Sequence, residues 1–293
     1  MSAFVIVLVL ISSFIHAVRD LINKKSGDKL AFFWLYDLCA IIIYFPLFLY
    51  FLIKEFPTNP IGLYIAMGAG IIHCFYWIFL AKSLETGDLS HVYPIARAAP
   101  ALVLILSVVI LQEQVSFLGV VGILLVTLGI YILHLKSISS WNAVIEPITS
   151  ITKNAATRYA LLTLITVSLY SITDKVAVSF IYPVLYSYLL IVFAFIYYSL
   201  YFFRIKNWQA IKNEWKDYKV KAITNGILVL GGYLLILFSF TMGKVSYITG
   251  LRQISIVIAV LLGGHFLLEK NRKIRLFASL IIFAGALLIS IAK

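Results

Sequence analysis

The chain has 293 residues, 62% of them hydrophobic and 12% charged, with a mean hydropathy of +1.02. That balance excludes a water-soluble globular domain, whose composition is closer to half apolar. The formal charge of +12 would suit a nucleic-acid binder, but the basic residues lie in breaks between apolar runs, so no nucleic-acid partner is expected.

From the N-terminus onward, apolar runs of about 16 to 24 residues alternate with short polar breaks, the length a helix needs to cross ~30 Å of hydrocarbon. The first run lacks a charged n-region and a small-residue cleavage site, so it is expected to remain as the first span. Predicted spans cover 3–18, 30–53, 60–81, 91–111 and 116–135, then 159–172, 181–203, 222–242, 246–268 and 274–292. Asp174 and Lys175 interrupt the sixth and read as a helix-end pair. The segments are apolar on all sides, which excludes the alternating pattern of a barrel. The fold class is therefore an all-α polytopic membrane protein with ten transmembrane helices. The longest polar stretches are 136–158 and 204–221, and the first marks a linker, 137–157, between repeats at 1–136 and 158–293.

The repeat is visible in the residues. Gly87-Asp88-Leu89-Ser90-His91-Val92 returns as Gly243-Lys244-Val245-Ser246-Tyr247-Ile248, an offset of 243 − 87 = 156. The same offset carries Trp77 onto Tyr233, Glu113 onto Glu269 and Gly129 onto Gly285. Five helices per half is odd, so the second half enters the membrane inverted, a construction that lets one architecture open to either side of a site. Eighteen Lys and Arg lie in loops after odd-numbered helices and four in even loops and the C-terminus; Arg97 and Arg252 lie within spans. The positive-inside rule then puts both termini outside the cell membrane.

Two five-helix halves, with Gly87, Ser90, Pro94, Glu113 and Gly129 in one and Gly243, Ser246, Glu269 and Gly285 in the other, resemble the EamA-type members of the drug/metabolite transporter superfamily. The resemblance covers nearly the whole chain. It implies a secondary transporter, an exporter or importer of amino acids, nucleotide sugars or other metabolites, with a central cavity between the halves. At the 156 offset, Gly250 and Ile256 stand where the first half has Pro94 and Pro100, so helix kinking is expected to be unequal. The first helix has no acidic residue in its core, unlike the small multidrug antiporters of that superfamily, which disfavours proton-driven cation efflux.

Several residues are candidates for chemistry. Arg97 and Arg252 lie about 9 Å inside their spans at 1.5 Å per residue. Either they face a cavity, where their guanidinium forks suit a carboxylate, phosphonate or phosphate, or they snorkel to the interface. Gln253 joins them on the substrate path. His73, Tyr76 and Trp77 share one helical face by their i, i+3, i+4 spacing. That face either stacks on a substrate and shares a proton or faces lipid, and Tyr233 is its repeat partner. Asp37 and His16 are proton carriers or interface residues. Glu113 and Glu269 read as helix-end or gate residues on opposite membrane faces, which excludes an acid/base pair. Gly68-Ala69-Gly70 and Gly263-Gly264 suit close helix packing.

An intramembrane enzyme acting on a lipid-linked substrate is the alternative. It would need a nucleophile and base or a metal cluster, and the sequence has no such motif. Cys39 and Cys74 sit inside apolar segments and have neither disulfide nor zinc spacing. The expectation is no catalytic residues, no metal and no cofactor, with a small-molecule substrate, membrane lipids as surroundings, and proton or exchange coupling.

Overall fold

The computed structural model describes residues 1–24, 26–57, 59–86, 95–133, 135, 154–266 and 272–292, and no strand occurs among them. The helices are α1 Ala3–Lys24, α2 Lys29–Lys54, α3 Ile61–Thr86, α4 Ala99–Ile110, α5 Phe117–Leu133, α6 Ala155–Ala177, α7 Pro183–Ile205, α8 Trp208–Met242, α9 Val245–Arg252, α10 Ile254–Phe266 and α11 Arg272–Ile291. Seven of them are long and apolar enough to cross a membrane; α4, α5 and the run formed by α9 and α10 are shorter apolar helices. Ten spans result, the ninth broken at Gln253. Large apolar side chains face outward along many helices, with Ile53 and Phe117 each 84% exposed. Such a surface is unfavourable in water and matched to lipid.

Two elements differ from the sequence reading. α6 runs from Ala155 through Asp174 and Lys175 to Ala177, so these residues do not interrupt the sixth span. The Asp174 carboxylate and the Lys175 ammonium both find partners on other helices, the latter on the Phe240 carbonyl. The low hydropathy of α6 comes from Arg158, Asp174 and Lys175 together with its Ser and Thr residues. Their hydroxyls bond carbonyls of the preceding turn, as in Thr163 to Tyr159 at 2.8 Å and Ser171 to Val167 at 2.8 Å, so little polarity faces outward. The polar stretch 204–221 also folds, because α8 begins at Trp208 and changes direction at Tyr218, where φ is −130° and ψ is 17°. The linker 137–157 lies mostly outside the described residues.

The chain forms two compact units, and each draws elements from both halves of the sequence. The first comprises 1–10, 75–172 and 243–293. Within it α5 crosses α11 at glycines that the sequence offset makes equivalent. A Cβ on Gly129 would lie 2.7 Å from Ile282 Cγ1, and one on Gly285 would lie 2.6 Å from the Gly122 carbonyl. Small residues thus let the two backbones meet, the usual basis of close helix packing in lipid.

The second unit comprises 11–74 and 173–242. α2 packs on α7 through aromatic contacts: Phe48 stacks on Tyr188 at 4.3 Å between centroids, and Trp34 lies against Phe195 and donates to Ser199 Oγ at 2.9 Å. α8 crosses α2 at Gly226, where a Cβ would meet the Tyr36 carbonyl at 2.7 Å. Asp28 caps α2 by accepting from the backbone of Leu30 and Ala31. Glu214, buried on α8, accepts from the Gly27 and Asp28 amides at 3.0 and 2.9 Å. These two amides of the α1–α2 turn are thereby satisfied.

Candidate functional site

In the second unit a polar cluster forms inside the helix packing. Asp174, in the last turn of α6, has no solvent exposure. Tyr186 Oη of α7 donates to its Oδ1 at 2.5 Å, and Tyr233 Oη of α8 donates to its Oδ2. His73 of α3 brings Nε2 to 3.3 Å from Tyr233 Oη and 3.7 Å from Asp174 Oδ1. The His73 and Tyr233 rings meet edge to face at 5.8 Å. The sequence reading made Tyr233 the repeat partner of Trp77, across a cavity from the His73 face; the structure places its ring against His73 itself. The sequence reading missed Asp174 and Tyr186. The available signal was length: a sixth span of 159–172 rises only about 21 Å, too short for ~30 Å of hydrocarbon, so the helix had to continue through Asp174.

Asp37 is fully buried in α2, and neither of its carboxylate oxygens has a hydrogen-bond partner. The Arg19 guanidinium is near enough for its charge to act on it. His16 lies in α1 with Nδ1 3.3 Å from Asp20 Oδ2. Asn225 Nδ2 donates to Asn23 Oδ1 at 2.8 Å, and Ser12 Oγ donates to the Gly232 carbonyl at 2.8 Å. Polar groups of α1 therefore meet α8 inside the same unit.

In the first unit the arginines occupy matching turns. The Ala98 amide donates to the Ile95 carbonyl at 3.1 Å, and the Gln253 amide to the Gly250 carbonyl at 3.2 Å. Each is a tightened, 3₁₀-type turn with arginine as its third residue. The turns are offset by 253 − 98 = 155, which is also the separation of Arg97 and Arg252. The one-residue departure from the 156 repeat is thus a local shift that keeps the arginines equivalent. The turn recurs although the second half lacks the prolines, so the expected inequality of kinking does not extend to the arginine turns. There Thr249 Oγ1 donates to the Val245 carbonyl and Gln253 Nε2 to the Thr249 carbonyl. Side-chain bonds of this kind compete with the helical ladder. Gln253 Oε1 is shut off from solvent and has no hydrogen-bond partner. Both arginines are half-buried.

Tyr76 lies edge to face with Tyr170 at 5.5 Å, and Trp77 is buried. Glu113, just beyond α4, grips the start of α9. Its Oε1 accepts from the Val245 amide at 2.6 Å, and its Oε2 accepts from the Ser246 amide at 3.3 Å and the Ser246 hydroxyl at 2.7 Å. A carboxylate at a helix N-terminus satisfies orphan amides and complements the helix dipole. Its repeat partner Glu269 lies outside the described residues, as do Gly87, Ser90 and Pro94. Among the described residues no group of three or more His, Cys, Asp or Glu side chains comes together.

A multi-pass helical membrane protein whose fourth and ninth spans repeat one arginine-bearing turn has the build of a duplicated membrane carrier. The chain belongs to the EamA-like transporter family, whose model matches it twice, over residues 3–135 and 156–291. A solved structure described only as "Crystal structure of protein" superposes with a TM-score of 0.75 at 14% identity, covering 98% of this chain and 96% of that one. At that identity the likeness speaks for the fold alone. No curated protein matches.

Proposed function

We propose that this transporter moves a small anionic or zwitterionic metabolite, of the amino-acid class, across the cell membrane by alternating access. The observation that carries this reading is the paired turn at Arg97 and Arg252. Discontinuous spans at equivalent places in two inverted halves are where carriers of this build hold their substrates. A guanidinium there offers a forked donor to a carboxylate or phosphonate. Gln253 Oε1 adds an acceptor without a partner, suited to a substrate ammonium. A zwitterion satisfies both. The Glu113 grip on Val245 and Ser246 serves in this reading as a latch at one end of the ninth span. The enzyme alternative is not favoured by any particular contact.

The test is counterflow in liposomes containing the purified protein, screened with radiolabelled amino acids, phosphonates and sugar phosphates. Arg97→Ala and Arg252→Ala variants that insert normally are expected to lose about 10-fold or more of the flux, the effect of ~1.5–3 kcal/mol from charged hydrogen bonds. Undiminished flux in both removes the proposal.

A further inference from the structure

The hydrogen atoms of the Asp174 cluster can be assigned from chemistry alone. With Asp174 ionised its carboxylate only accepts, so both tyrosine hydroxyls donate to it, Tyr186 to Oδ1 and Tyr233 to Oδ2. Tyr233 has one hydrogen and has spent it on Asp174. It can therefore only accept from His73 Nε2, 3.3 Å away, and that nitrogen must carry a hydrogen. The bonds then run one way, from His73 Nε2–H to Tyr233 Oη and from Tyr233 Oη–H to Asp174 Oδ2.

We propose that this directed chain is a proton-carrying site, with Asp174 as the store, Tyr233 as the bridge and His73 as the entry. A proton bound at His73 Nδ1 makes imidazolium. Nε2–H then passes its proton to Tyr233 Oη while Tyr233 passes its own to Asp174 Oδ2. The imidazole ends neutral with hydrogen on Nδ1, the tyrosine is regenerated, and the carboxylate becomes a carboxylic acid. One proton enters and one negative charge is neutralised. Among the described residues the titratable groups facing Asp174 are His73 on α3, Tyr186 on α7 and Tyr233 on α8, with Lys175 next to it on α6 and turned to the Phe240 carbonyl. Segments of four helices within the second unit meet on this carboxyl, so its charge state bears on how they pack, as expected of an intramembrane ionisable group with a transport task. The role deepens the transport reading above and rests on it by making the carrier proton-coupled.

The test has two arms. Infrared difference spectra of the membrane-reconstituted protein, recorded as the pH is lowered, should show a carboxylic C=O band that grows on acidification. The band should be absent in Asp174→Asn. In Tyr233→Phe it should titrate separately from the histidine ring bands with which it moves in the native protein. In the second arm, liposomes with an imposed pH gradient and radiolabelled glutamate or glycine report accumulation and counterflow. Asp174→Asn and His73→Gln should lower accumulation about tenfold or more relative to counterflow, within the range that a positioned proton-transfer group supplies. A carboxyl band that survives in Asp174→Asn, joint titration that survives in Tyr233→Phe, or gradient-driven accumulation that survives in both transport variants overturns the relay. If the band follows Asp174 but the native protein gives no counterflow of any probe, the proton site stands and the substrate reading fails alone.

Discussion

Glu113 and Asp174 are both carboxylates near helix ends, and their surroundings give them different tasks. Glu113 spends both oxygens on the amides and hydroxyl that open α9, so it acts as a fixed anchor. The Asp174 carboxylate instead accepts from Tyr186 and Tyr233, hydroxyls that can pass a hydrogen. The repeat made Glu113 legible as a helix-end residue, but its partner, 132 residues away at Val245, was not. The contact also explains Ser246: the second-half Gly-x-x-Ser supplies the hydroxyl that the carboxylate holds. Glu113→Ala and Ser246→Ala should each lower the thermal midpoint in detergent. Their coupling in a double-mutant cycle should be about 1 kcal/mol or more, as for residues sharing charged hydrogen bonds. Strict additivity would show that the grip contributes nothing to stability.

At the scale of the element, the sequence reading treated Gly68-Ala69-Gly70 as one packing motif, and the structure separates its members. A Cβ on Gly70 would stand 2.7 Å from Phe193 Cβ and 3.0 Å from the Ala194 nitrogen, whereas one on Gly68 would meet nothing within 4 Å. Gly70→Ala should therefore force α3 from α7 and cost ~1–3 kcal/mol, the usual price of overpacking. Gly68→Ala should be neutral or slightly stabilising, within about 0.5 kcal/mol, since alanine is the better helix former. Chemical denaturation in mixed micelles distinguishes them, and equal losses would contradict the crossing. Glycine pattern alone cannot say which glycine faces a neighbour, because that depends on the rotation of the whole helix. Helix α6 carries the same lesson. Its hydroxyls and Asp174 lowered its apolar signal, although every hydroxyl described above turns back onto its own helix.

At the scale of the whole molecule, the loop charges predict an orientation. The loop at Asn59 follows an even-numbered span and Lys216 lies in the basic stretch after the seventh, both of them exposed. We expect a membrane-impermeant maleimide to label Asn59→Cys in intact cells and Lys216→Cys only after permeabilisation, as the positive-inside rule requires. The reverse pattern would invert the topology.

The sequence by itself determined the solvent, the helical class and the duplication, because these depend on composition, run length and residues repeated at a constant offset. It also marked Arg97 and Arg252, since charge within an apolar run stands out without knowledge of its neighbours. Only the tertiary structure decided that both arginines sit in the same tightened turn, that Glu113 holds Ser246, and that Asp174, Tyr186, Tyr233 and His73 converge. Each of these depends on which side of a helix meets which neighbour. In a uniformly apolar chain that choice leaves almost no periodic trace, because lipid and protein interior favour the same residues.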